Sequence, residues 1–243
     1  MSAPASNGPQ PVDPTTFEFR YQLHVPSGDP LGPWRLFDRW QVVMEQLRWP
    51  DGAGEPERTP VAHATAVLVR PFRCLYERLL FDAADEAGGD LATLVEVAFS
   101  PDGFLEDDLL DQVFEAGANV LFLDNVTVEQ AHRGNGYGWQ IAADLIVTLS
   151  GGCAAAVTFP APVHGSADEG EYAAACQKLA DYWSATGFFD AGRDNLFLLD
   201  LADPHLGLLA ALGPGRYEWF HRDAGAGALA VDEGWPDHPV PGL

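Results

Sequence analysis

Val120 to Leu149 reads VLFLDNVTVEQAHRGNGYGWQIAADLIVTL: an apolar strand, a short polar connection, a glycine-rich turn and an amphipathic helix. Val120 to Val128 is rich in β-branched and aromatic residues and long enough for a buried strand. Glu129 to His132 connect it to Arg133-Gly134-Asn135-Gly136-Tyr137-Gly138. From Trp139 onward Ile141, Leu145 and Leu149 recur every four residues with Ala142 and Ile146 beside them, which predicts a helix stripe. Glycines at alternate positions let backbone N–H groups converge, because no Cβ forces them apart and positive φ costs little. Such groups at a helix start, where the dipole is also positive, make an anion site. The chemistry implied is a phosphate or pyrophosphate held by backbone.

Spacing separates three nucleotide readings of such a loop. A P-loop needs a lysine after its last glycine, and the only lysine of the chain is Lys178. A dinucleotide fold needs Gly-x-Gly-x-x-Gly at the strand end and an acid at the tip of the next strand. Here the glycines run 134, 136, 138, and the next strand, Cys153 to Phe159, ends at Pro160 without an acid. What remains is Arg-x-x-Gly-x-Gly, five residues after Val128.

This hexamer, with its preceding strand and following helix, resembles the acyl-CoA signature of the GNAT superfamily of N-acetyltransferases. The resemblance implies an α/β fold of the α+β type, a mixed and mostly antiparallel central sheet flanked by helices. It assigns the CoA pyrophosphate to Arg133, Gly134, Asn135, Gly136, Tyr137 and Gly138, and the pantetheine to Val126, Thr127 and Val128. Downstream order is similar to the same family: the strand Cys153 to Phe159, a helix over Glu171 to Thr186 bearing Ala175, Leu179, Tyr182 and Trp183, Gly187-Phe188, then a strand over Asn195 to Leu201. The likeness covers Ala118 to Leu201.

Acetyl transfer to an amine needs the amine neutral, the thioester carbonyl polarised and the leaving thiolate protonated. The family's base projects from the strand nine or eleven residues before the motif arginine, which gives Asp124 and Phe122 here. Asp124 is the candidate base, with a bond to a neighbouring loop or to backbone N–H groups as its alternative role. The tyrosine expected four residues before Gly187 is replaced by Trp183, and the asparagine expected earlier on that helix by Cys176. Tyr182, adjacent but about 100° away on the helix, is the remaining candidate acid; otherwise water protonates the thiolate. His132 beside the turn either meets a phosphate or is solvated. Tyr137 either stacks on the cofactor or packs on the helix. The reaction implied is acetyl-CoA-dependent N-acetylation of a primary amine on a small molecule or protein. The alternative is a non-catalytic acyl-CoA-binding or protein-interaction module that retains the fold.

Composition sets bounds on these expectations. Net charge is −23, from 36 acidic against 13 basic residues, which argues against a nucleic-acid partner. The anionic CoA must then bind against the mean field, through local N–H groups and a few arginines. No apolar run is long enough to span a bilayer, and MSAPASNGPQPVDP lacks the basic cap and apolar core of a signal peptide. A cytoplasmic protein with no membrane partner is expected. Cys74, Cys153 and Cys176 have no paired spacing and read as reduced thiols, and the seven histidines show no metal-site spacing.

Residues 1 to 15, rich in Pro, Ser and Gly, read as a mobile N-terminus, 16 to 201 as a single acetyltransferase-like domain, and 202 to 243 as a C-terminal extension. Phe17 to Val25 alternates as a half-buried strand, and Val61 to Arg70 reads as another. Between them Trp34 to Arg48 carries Leu36, Trp40, Val43, Met44 and Leu47 on helical spacing. Trp49 to Pro60 reads as a loop. Three short helices follow, Cys74 to Ala87, Asp90 to Ser100 with Asp90 as N-cap, and Phe104 to Ala116, a helical insertion before the strand at Val120 that departs from the family plan. In the extension, Asp203 to Leu212 suggests a helix and Arg216 to Arg222 a strand. That tail has three roles open to it: covering the acceptor cleft, packing on the sheet, or making a homodimer contact.

Overall fold

The computed structural model describes residues 16–24, 36–49, 54–71, 79–113, 119–162 and 168–201. The expected N-terminus 1–15, and the helix and strand expected within 202–243, lie outside the described residues, as do 72–78 at the head of the first expected helix. The described chain is a mixed α/β fold built on a seven-stranded, mostly antiparallel sheet. Its strands are β1 (Thr16–His24), β2 (Phe37–Arg48), β3 (Glu57–Val69), β4 (Asn119–Val128), β5 (Cys153–Thr158), β6 (Phe189–Asp190) and β7 (Phe197–Asp200). They lie in the order β1-β2-β3-β4-β5-β7-β6, and β4 with β5 is the one parallel pair. The helices are α1 (Leu79–Ala87), α2 (Gly89–Ala98), α3 (Asp107–Leu110), α4 (Tyr137–Leu149) and α5 (Glu169–Ala185).

Both faces of the sheet are covered over part of their area. On one, Leu80, Leu94, Val95 and Leu109 of α1 to α3 pack on Val67, Val69, Val120, Phe122 and Val157. On the other, Trp139, Ile141, Leu145 and Trp183 of α4 and α5 pack on Val42, Met44, Ala64, Leu121 and Leu123. The crossover from β4 to β5 is α4, as a parallel pair requires. Tyr21 on β1 donates its hydroxyl to Asp144 of α4 and so ties that helix to the far strand. Arg193 joins the loop before β7 to the helical insertion, bonding Val97 O at 3.0 Å and Asp108 at 2.7 Å.

Four expectations are corrected. The segment Trp34 to Arg48 is no helix: from Phe37 it is β2, paired with β1 along nine residues and with β3 along twelve. Its apolar residues fit a helical stripe as well as a strand, and ladders on both sides decide the outcome. Among the described residues the third predicted insertion helix keeps only the four residues of α3, its start delayed by a bridge between Leu105 and Phe99. Asp90 is not an N-cap; Gly88, at φ +68°, fills that position and Asp90 lies in the first turn, where its charge favours the helix dipole. Strand β3 also begins at Glu57, inside the predicted loop.

Strand and helix make opposite predictions for neighbouring positions in β2. A helix stripe would bury Val43 and Met44 together, whereas here Met44 is fully buried and Val43 only partly. Met44→Ala should destabilise by about 2–5 kcal/mol and Val43→Thr by no more than about 0.5 kcal/mol, read from urea unfolding. Equal losses would contradict the strand.

Candidate functional site

Strand β4 has unequal neighbours. Against β3 it is paired from Val120 to Val128, but against β5 only from Asn119 to Phe122. Beyond that point Thr158, the last residue of β5, donates its hydroxyl to Leu123 O at 2.9 Å. Pro160 follows two residues later and has no N–H to extend the ladder. Among the described residues, Leu123 to Val128 therefore continue with one edge not paired to a strand. Glu129 N–H reaches Val61 O on β3 at 2.9 Å, and antiparallel pairs alternate. Val128 and Val126 consequently direct their N–H and C=O away from β3, toward that edge.

The glycine turn folds over the end of this edge. A 3-10 turn, Gln130–His132, leads from β4 into it, and α4 begins at Tyr137 with Gly136 as N-cap. Gly134 and Gly136 have φ of +81° and +78°, conformations that favour glycine. Gly138 is required for a different reason: a Cβ there would stand 3.3 Å from the Tyr182 hydroxyl, 3.4 Å from the Val128 side chain and 3.9 Å from that of Val126. The start of α4 is thus pressed onto the end of β4. Arg133 turns back so that its Nε donates to Val128 O at 3.1 Å, and Asn135 donates to His132 O at 3.1 Å. Tyr137 packs edge-on against Phe17 of β1 at 5.2 Å, with His132 at 6.2 Å, so its ring is anchored to the far edge strand. Gly136 offers no side-chain cap to the first amides of α4, which have the helix dipole behind them.

Asp124 lies in a bulge. Thr65 pairs with Asn125 and Ala66 with Leu123, so Asp124 is the extra residue of β4. A bulge re-aims its side chain, and here the carboxylate points toward β2, with Oδ2 3.9 Å from Nη1 of Arg39. Burial raises the Asp124 pKa above the usual carboxylate range; Arg39 pulls it down and Asp90, at the start of α2, adds to the rise. A carboxylate tuned upward in a partly buried position has the character of a proton acceptor at neutral pH.

Tyr182 is elsewhere. Its hydroxyl accepts from Trp139 N–H in the first turn of α4, and burial pushes its pKa up. Trp183 is buried and stacks edge-on with Phe188 at 5.0 Å and with Tyr182 at 5.6 Å. The two candidate catalytic residues are therefore on opposite faces of the sheet: Tyr182 packs with the α4 cluster, whereas Asp124 faces Arg39 and Asp90.

Val126, Val128, Arg133 to Gly138 and Tyr182 are brought together at one end of β4. Arg39 and Thr158 belong beside Asp124 and the strand edge and were not among the sequence candidates. Arg39 was hidden by the helical reading of its segment, although Arg39-Trp40-Gln41-Val42 alternates polar with apolar as a strand does. Among the described residues no cluster of His, Cys, Asp and Glu is arranged for a metal ion, and no helix is long and apolar enough to cross a membrane. No family model matches the chain, and neither a curated protein nor a solved structure matches it.

The contact at Gly138 gives a coupling to measure. Gly138→Ala should destabilise by about 1–3 kcal/mol through overpacking. In the Tyr182→Phe background, which lacks the atom at 3.3 Å, the same substitution should cost at least about 0.5 kcal/mol less, the threshold of coupling between touching residues. Additive costs in urea unfolding of the double-mutant cycle would show that the two residues do not touch.

Proposed function

We propose that this chain is an acetyl-CoA-dependent N-acetyltransferase of the GNAT type, acting on a primary amine. The observation that carries the reading is the half-paired β4. A strand edge with outward backbone groups at Val126 and Val128 runs into a helix N-terminus held by Gly134, Gly136 and Gly138. Extended pantetheine, with its two amides, suits the first feature by backbone pairing. Pyrophosphate suits the second. Arg133, already turned along Val128, has further N–H donors for phosphate oxygens. This local concentration of donors answers the problem posed by a net charge of −23.

In this reading the thioester lies beside the Asp124 bulge. An ammonium acceptor loses one proton to Asp124 and its nitrogen attacks the thioester carbonyl carbon. The C–N bond forms, the C–S bond breaks, and the nitrogen's second proton balances the departing thiolate. The products are the acetamide, the CoA thiol and one proton released through Asp124. Tyr182 holds the start of α4 by accepting from Trp139 N–H, and the thiolate takes its proton from water. A second reading, an acyl-CoA-binding module without turnover, draws on Trp183, which fills the expected acid position with a buried indole.

Two measurements test this. Acetyl-CoA at 100 times its dissociation constant should raise the stability of the wild type by about 2.7 kcal/mol, and Gly136→Glu, checked for cooperative unfolding, should abolish the shift. No shift with acetyl-CoA or longer acyl-CoAs would defeat both readings.

Asp124→Asn should keep that shift but lower kcat by about 10²–10⁴-fold. Wild-type kcat should fall as pH drops through the raised Asp124 pKa. The sign for stability is opposite to that of an ion-paired carboxylate. With the folded pKa raised, the native state binds more protons in the window above the usual carboxylate value, so wild type loses stability relative to Asp124→Asn as pH rises through it. A variant that retains full kcat, or a wild type that gains relative stability across that window, would remove Asp124 from the mechanism.

A further inference from the structure

The proposed acceptor side holds a cation that an amine substrate would not by itself require. Arg39 lies two strands from Asp124, its side chain 40% exposed and that of Asp124 23%. Their 3.9 Å separation exceeds a hydrogen bond. Among the described residues neither side chain makes another hydrogen bond, so both retain capacity for a third party. The pair is electrically neutral as a unit. A simple ammonium approaching Asp124 meets the guanidinium about 4 Å away, and the attraction of one is offset by the repulsion of the other.

A substrate carrying both charges meets no such conflict. In an α-amino acid the nitrogen and the carboxylate carbon are two bonds, about 2.5 Å, apart. Laid antiparallel to the Asp124–Arg39 pair, the ammonium faces Asp124 while the carboxylate accepts from the planar guanidinium, a match that arginine makes bidentately. The strand geometry supports the placement. Arg39 pairs with Val67 on β3, and Val67 pairs with Phe122, so the guanidinium and the Asp124 carboxylate share one sheet face at the border of the area covered by α1 and α2. Asp90, in the first turn of α2, adds negative charge felt by Asp124. His24 stands opposite Arg39 on β1, at the outer rim.

Resting on the acetyltransferase reading, we infer that the acceptor is a free α-amino acid, with Arg39 as the residue that recognises its carboxylate. The transfer balances as above: the α-nitrogen gains the acetyl group, the C–S bond breaks, and the products are an N-acetyl amino acid, the CoA thiol and one proton. A protein lysine or an internal amine lacks the neighbouring carboxylate and is disfavoured.

The test measures CoA thiol release with a panel of free L-amino acids and with the corresponding L-amino acid α-amides, which keep the amine and lose the negative charge. At least one acid should turn over with kcat/KM at least 10-fold above its amide. Arg39→Gln should raise KM for that acid by about 10- to 100-fold, the range of hydrogen bonds to charged groups, with kcat within about 3-fold and the amide little changed. Arg39→Lys should fall between. Arg39 is partly exposed, and an unchanged thermal midpoint confirms that each variant is folded. Equal use of acids and amides overturns the assignment, as does an Arg39→Gln loss shared equally by both, which would make Arg39 a tuner of Asp124. Turnover of other amines but of no amino acid also overturns it while leaving the transferase intact. Acetyl-CoA binding without turnover of any amine refutes the transferase reading itself, and this inference with it.

Discussion

Backbone hydrogen bonding along β4 is the constraint from which the site follows. A buried strand must satisfy an N–H and a C=O at every residue. Among the described residues β4 does so through strands on both sides only from Val120 to Phe122, after which β5 ends and β3 alone remains as a strand partner. The protein supplies partial remedies at the two ends of the orphaned edge: the Thr158 hydroxyl takes Leu123 O, and Arg133 Nε takes Val128 O. Between them lies an edge suited to an extended polar ligand. The glycine turn is placed by the same geometry, because α4 must start at the end of β4 and cross back over the sheet to begin β5. Tight contact of Gly138 with Val126 and Val128 fixes the approach, so the helix dipole opens where the strand edge finishes.

The helical insertion determines the other face. α1 to α3 cover Phe122 and Val67 but stop short of the polar row Arg39, Gln41 and Thr65, which β2 and β3 carry next to Asp124. Asp124 is therefore half withdrawn from water without being enclosed. That explains how burial raises its pKa while a guanidinium across the sheet restrains the rise. In a chain with net charge −23, the proposed acceptor would be selected at this locally neutral pair by the arrangement of its charges. The mean field contributes attraction for cations generally, and screening at physiological salt limits its reach to about 8 Å.

How much of this was legible in the sequence follows from how local each signal is. Gly134, Gly136 and Gly138, the stripe through Ile141 and Leu145, and Pro160 after the strand are signals carried within a few residues of where they act, and each element lies where they direct it. The helix predicted over 34–48 failed because Leu36, Trp40, Val43, Met44 and Leu47 satisfy a helical period by coincidence, while the evidence for a strand sits elsewhere in the sequence, in its partners β1 and β3. The same error concealed Arg39, since a residue on a presumed helix gives no reason to look for it beside Asp124. Asp124 was placed by its distance from the motif, but its bulge was invisible, because a bulge exists only relative to the partner strand. The position of Tyr182, on the face opposite Asp124, depends on how α5 packs and could not be read from the helix alone.

The burial of Trp183 in place of a tyrosine is weaker evidence against catalysis than it first looks. A general acid matters most when the leaving group is strongly basic. The departing group here would be an alkyl thiolate, whose conjugate acid, like cysteine, has a pKa of about 8.5, so it leaves readily and water protonates it near neutrality. The demanding step is the other proton transfer, removal from an alkylammonium whose pKa is comparable to that of lysine, about 10.4. Asp124 is the group positioned for this, with a raised pKa and no hydrogen-bond partner among the described residues to hold it from the substrate. A carboxylate is a weak base toward an ammonium, so in the proposed reaction Asp124 holds the proton only transiently and passes it on to water as the nitrogen attacks. On that account the tyrosine at the neighbouring position is free to serve structure. Tyr182 uses its hydroxyl to hold Trp139 N–H and the start of α4, where loss of the contact would loosen the turn at Gly138 before it affected any proton transfer.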